Sequence, residues 1–202
     1  MADLLVPDRP LPVSPQRGRT PGWYGMALLI ATEAALFIYL LFSYVLLASQ
    51  APGPWPPPGA PDLAVAGANT LVLLASSGAA WWGQKGLDHD ARGRLLLGLV
   101  GALALGTLFA AVQISEWRHK PFSPDTDAYG SLYFTITGVH LAHVAVGLIM
   151  LACLILWTLQ GRFSRTRRIH VTLGVLYWHF VDLVWLAVFA TLFLSPRLGA
   201  GG

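Results

Sequence analysis

Charge is what this sequence has least of. Only 11% of its 202 residues are Asp, Glu, Lys or Arg, less than half of the roughly 25% that a soluble domain carries. So few charges cannot coat a globule against water, which excludes a soluble enzyme, a DNA-binding module and a disordered chain. Cysteine is almost absent too. Cys153 stands alone among aliphatic neighbours, so it can close no internal disulfide and offers no thiolate cluster to a metal. No internal repeat and no second domain is visible. No cleavable signal is expected, because the first apolar stretch is too long for an h-region of about 7–15 residues.

What is abundant is apolar sequence, at 55%. It is gathered into five nearly unbroken stretches, Trp23–Ser49, Leu63–Gly83, Leu95–Ser115, Leu132–Leu159 and Thr172–Leu194. Each meets or exceeds the roughly 20 residues that cross about 30 Å of hydrocarbon as a helix. The expected fold is therefore all-α, a polytopic bundle of five transmembrane helices over 23–194. A flexible tail at 1–22 would precede it and a short external tail at 195–202 would follow. The net charge of +3 marks topology, with no call for a nucleic-acid partner. Ten Lys and Arg residues lie in the N-terminal tail and the loops at 84–94 and 160–171, against three on the alternate side. By the positive-inside rule the N-terminus is expected in the cytoplasm and the C-terminus outside.

The loops fit this arrangement. The 50–62 segment holds six prolines in QAPGPWPPPGAPD, so it favours extended polyproline geometry. The short loops at 84–94 and 160–171 make helices two and three, and four and five, antiparallel neighbours. Gly98, Ala102, Gly106 and Ala110 form a small-residue face on span three, and Gly138 with Ala142 does so on span four. Such faces let backbones approach closely in lipid but identify no function.

Only two of the charged residues, Glu33 and Asp182, fall inside spans, joined there by His140, His143 and His179. At 1.5 Å per residue, Glu33, His143 and Asp182 each lie about 15 Å from a membrane edge, near the midplane. An unpaired charge there costs roughly 2.5–3.5 kcal/mol on insertion scales, so these groups face the bundle, pair or stay neutral. His140/His143 and His179/Asp182 are spaced i, i+3, which puts each pair on one helix face. Three uses are open. The His and Asp groups can hydrogen-bond across helices four and five and fix their register. The histidines can ligate haem or metal, although two of three sit one turn apart on one helix. Glu33 can handle protons.

Several stretches together resemble subunit III of the haem–copper respiratory oxidases. Tyr177–Leu194 (YWHFVDLVWLAVFATLFL) resembles that family's closing helix. TGVHLAHVAVG matches T-G-x-H-x-x-H-V-x-x-G at Thr137, Gly138, His140, His143, Val144 and Gly147. KPFSPDTDAYGSLYF is similar to P-F…D-x-x-Y-G-S-x-F at Pro121, Phe122, Tyr129, Gly130, Ser131 and Phe134. Gln113 and Glu116 fall in Q-x-x-E-[YW], and Asn69, Thr70, Leu73, Leu74, Ser76 and Ser77 in N-T-x-x-L-L-x-S-S. Trp55–Gly59 fits the external W-P-P-P-G loop, and ATEAALF puts Glu33 where the family carries its intramembrane carboxylate.

The resemblance implies a multi-pass subunit of a bacterial inner membrane that binds no haem, copper or other metal itself. It would pack on catalytic subunit I, which holds the haem pair and copper that reduce dioxygen to water, with subunit II and other respiratory subunits as further partners. It would hold phospholipid and sustain proton uptake. On this reading Glu33 is the proton-related carboxylate, and His140, His143, His179 and Asp182 are structural polar contacts. Lys85, Arg162, Arg165 and Arg168 would meet anionic headgroups. Two departures stand out: longer members begin with two further helices, and they carry a glutamate where this sequence has Thr172. The five-helix subunit of quinol oxidases is the nearest alternative, and a di-haem cytochrome b-like anchor or a small secondary transporter is further away.

Overall fold

The computed structural model describes residues 21–57, 63–89, 91–163 and 168–199. Helix α1 spans Pro21–Gln50 and opens on a proline, whose fixed φ and missing N–H suit a first helical turn. Helix α2, Leu63–Gln84, ends in a 3₁₀ turn at Lys85–His89, and α3 follows at Arg92–Arg118. Helix α4 occupies Ala128–Leu159 and α5 Ile169–Phe189. A single π turn at Ala190–Leu194 carries α5 into α6, Ser195–Gly199. No strand occurs among the described residues. Five helices are long and apolar enough to cross a membrane, one for each apolar stretch of the sequence.

The helix ends reach past the apolar stretches because local chemistry supports them there. α3 begins and ends on arginine, at Arg92 and Arg118. α4 starts at Ala128, a turn before the apolar stretch, because Asp127 is an extended N-cap residue whose Oδ1 accepts from the Gly130 N–H at 2.7 Å. At its other end Gly161, with φ of 69°, takes the left-handed position. It lets the Gly161 and Arg162 N–H groups bond back to the Thr158 and Trp157 carbonyls, each at 3.0 Å. The segment after Leu194, expected as a tail, is helical to Gly199. Pro196 has no N–H to bond to the carbonyl one turn back, and the π turn before it ends with the Ser195 N–H bonded to the Ala190 carbonyl.

Small residues set the closest approaches, as the sequence suggests for α3. A Cβ on Gly83 of α2 would stand 2.9 Å from the Gly98 Cα of α3. Further along, α5 drives the Trp178 ring between two glycines. A Cβ on Gly106 of α3 would lie 2.7 Å from Cη2 and Cζ2, and one on Gly147 of α4 would lie 2.6 Å from Cε3 and 2.7 Å from Cζ3. The indole N–H of Trp178 donates to Ser76 Oγ of α2 at 3.0 Å. One fully buried side chain thus ties four helices together.

α2 and α5 are zipped by four polar contacts: Thr70 with Trp185, Ser76 with Trp178, Ser77 with His179, and Gln84 with Thr172. From Thr70 to Gln84 along α2 the partner on α5 moves from Trp185 back to Thr172, so the two helices are antiparallel. α1 is peripheral: it buries only Phe37 and Tyr44 and leaves Leu28, Ile38, Tyr39 and Phe42 largely exposed. Its apolar outer surface suits lipid or a neighbouring protein, since lipid tails are as apolar as leucine.

Candidate functional site

Glu33 lies near the middle of α1 and His143 near the middle of α4. Their side chains meet, with Glu33 Oε2 at 2.9 Å from His143 Nε2, and both remain partly exposed. The other ring nitrogen, Nδ1, is 2.7 Å from the Val139 carbonyl. A carbonyl only accepts, so Nδ1 carries a hydrogen. The bond at Nε2 then needs one shared proton. Either a carboxylic acid donates to a neutral imidazole, or an imidazolium donates to a carboxylate. Both arrangements have zero net charge, which is how a titratable pair is tolerated at that depth. A proton can change sides over 2.9 Å without leaving a bare charge behind.

The pair opens onto a cavity of about 270 Å³ whose walls include Leu29, Val146, Met150 and Tyr177. The Tyr177 hydroxyl donates to the His143 carbonyl at 3.5 Å, and Phe37 packs its ring 5.1 Å from that of His143. The site is therefore one polar bond set in an apolar pocket between α1, α4 and α5.

His140 has a different environment although it is only three residues away. It is fully buried, with ring centroids of Trp185 at 4.9 Å, Phe109 at 6.0 Å and Phe37 at 6.3 Å. Neither of its nitrogens has a hydrogen-bond partner among the described residues. The three rings pack around His140 and leave no open space at its own two nitrogens. Among the described residues no three His, Cys, Asp or Glu side chains come together as a metal site.

On α5, His179 Nδ1 is 2.6 Å from Ser77 Oγ of α2. The same hydroxyl lies beside Asp182, whose two buried carboxylate oxygens take no hydrogen bond among the described residues. The expected His–Asp bonding across helices four and five is thus corrected. His143 bonds to α1, His179 bonds to α2, and His140 and Asp182 stay separate. Residues at i and i+3 differ by about 60° around the axis, and α4 touches α1, α3 and α5. That rotation is enough to aim His143 at one neighbour and His140 into the core.

The basic candidates sit at the α2–α3 and α4–α5 loop end. Lys85 Nζ lies 3.6 Å above the Trp81 ring, and Arg168 donates from Nη1 to Asp88 Oδ1 at 2.6 Å. Arg162 is exposed, and Arg165 lies outside the described residues. Thr172 accepts a 3.5 Å bond from Gln84 and donates to the Arg168 carbonyl at 3.2 Å. Sequence reasoning gave Ser76, Ser77 and Tyr177 no role at the site. Adjacent serines inside an apolar stretch are the signal for the first two, since hydroxyls in lipid bond either within their own helix or across to another.

The profile of the family described as cytochrome c oxidase subunit III matches residues 19–195. A protein named cytochrome c oxidase subunit 3 from Synechocystis is 33% identical over 175 residues, covering 85% of this chain and 74% of its own length. Proteins of the same name from the pig, Sus scrofa, and the lamprey Petromyzon marinus are each 34% identical over 178 residues, covering 84% of this chain and 68% of theirs.

Proposed function

The chain belongs to the cytochrome c oxidase subunit III family, and from that premise we propose that it serves as a non-redox subunit of a proton-pumping terminal oxidase. In this role it packs on subunit I, alongside subunit II, in a bacterial inner membrane, with its N-terminus in the cytoplasm and its C-terminus outside. Haem and copper belong to the partner subunits, where dioxygen is reduced to water. This chain stabilises subunit I, holds phospholipid and supports proton uptake during turnover.

The Glu33–His143 pair carries this reading. It puts a proton-sharing, net-neutral bond at mid-helix against an apolar cavity open to the outside of the bundle. Such a bond can take and return a proton while lipid or a neighbouring subunit covers it. Lys85, Arg162, Arg165 and Arg168 meet anionic headgroups or the cytoplasmic surface, as fits their place beside the loops.

Two measurements test the proposal. Purification in mild detergent brings down a haem-bearing subunit I with an a-type spectrum, while the isolated chain shows no Soret band. A Soret band that stays with the isolated chain refutes the reading, and an o-type spectrum moves it to the quinol-oxidase branch. Glu33→Gln keeps a hydrogen bond to His143 but abolishes the exchangeable acid. The variant assembles with an unchanged initial rate and loses activity sooner in prolonged turnover. Loss of haem reduction in subunit I from the first turnover would contradict the assigned role.

A further inference from the structure

The outer faces of α2 and α5 lie side by side and form a shallow groove. On α5, His179, Leu183 and Leu186 recur at the spacing of one helix face, with Leu183 67% exposed. On α2, Leu71, Leu74, Gly78 and Trp81 do the same, with Leu71 68% and Trp81 51% exposed. Between them Gly78 leaves a notch, because a Cβ built there meets nothing within 4 Å.

The floor of this groove is polar near mid-helix. His179 is partly exposed, and its Nδ1 is held by Ser77 at 2.6 Å, which fixes the ring. No described residue bonds its Nε2. Behind it the Asp182 carboxyl is buried with both oxygens unbonded among the described residues. Acyl chains supply no hydrogen-bond partner, so a polar edge turned to hydrocarbon is left unsatisfied. Ionisable side chains within membrane helices face protein or water for this reason. Small residues on a helix face mark where another backbone comes close. At the Trp81 end of this face lies a cavity of about 510 Å³ lined also by Lys85, Asp88 and Arg168.

We propose that the α2–α5 groove receives a transmembrane helix of a neighbouring, different subunit, and that this helix hydrogen-bonds His179 at mid-depth while its backbone lies over Gly78. Of the function proposed above, this uses only that the chain works in a complex of membrane subunits.

The test uses the whole complex in native membranes. A benzophenone amino acid replaces Leu74 or Leu183 in the groove, and Leu28 of α1 or Ile149 of α4 as controls. On illumination, positions 74 and 183 crosslink to one partner polypeptide that the controls do not reach. His179→Leu lowers retention of the chain in the purified complex about tenfold, and His179→Gln, which keeps a hydrogen-bonding side chain, restores most of it. Groove crosslinks to lipid only, or to a second copy of this chain, overturn the inference, as does His179→Leu with wild-type retention. Oxidase subunits that copurify without a crosslink at either groove position overturn this inference alone. A crosslinked partner in a complex without haem overturns the proposed function alone.

Discussion

Replacing Gly106 or Gly147 by alanine tests whether Trp178 is the centre of the bundle. In either variant the new methyl would lie 2.6–2.7 Å from two carbons of the indole ring, well inside the roughly 3.5–4.0 Å of optimal carbon contact. The ring cannot slide away from one glycine without closing on the other, and its N–H is tied to Ser76. Overpacking of a tight core costs about 1–3 kcal/mol, and the clamp puts each variant toward the upper end of that range. At about 2–4 °C per kcal/mol for a domain of this size, each alanine lowers the melting midpoint in mild detergent by about 4–12 °C. The decisive comparison is a double-mutant cycle. Trp178→Phe is itself destabilising, but it removes the ring atoms that meet both glycines. In that background Gly106→Ala costs at least about 1 kcal/mol less, a coupling within the range of contacting residues. A Gly106→Ala cost that is equal in both backgrounds would refute the clamp.

Three further outcomes follow from the hydrogen bonds. Ser76→Ala leaves the buried Trp178 N–H unpaired and costs about 1–3 kcal/mol, read as a lower melting midpoint. Thr70→Val does the same to Trp185, whose N–H donates to Thr70 at 2.9 Å; a neutral result for both would show that the α2–α5 zipper contributes little. Asp127→Ala removes the cap of α4 and costs about 1 kcal/mol, whereas Asp127→Asn or Asp127→Ser, measured the same way, restores most of it.

The five helices were legible because hydrophobic runs are a one-dimensional signal that lipid leaves unopposed. Helix ends were less so. Asp127 starts α4 through a cap bond and Pro196 sits within a continued helix, both local devices that hydropathy does not register. The candidate residues stood out because charge is so rare within the spans. Their pairing did not, since it depends on how each helix is turned about its axis. The spacing of His140 and His143 suggests a shared face, yet one ring is held by Glu33 and the other by aromatic walls. The bond between α1 and α4 joins residues 110 positions apart, and no local pattern carries that distance.

The same separation has a meaning in time. A ribosome adding about 5–20 residues per second needs roughly 5–20 s to pass from Glu33 to His143. Through that interval α1 stands in the bilayer with its acid unmatched, and its thin apolar contacts with α4 and α5 do not yet exist. Crossing as the protonated acid avoids the roughly 2.5–3.5 kcal/mol penalty of a charge, and the arrival of α4 then gives that proton somewhere to go. Closure of this bond therefore marks the moment at which the first helix made becomes part of the bundle.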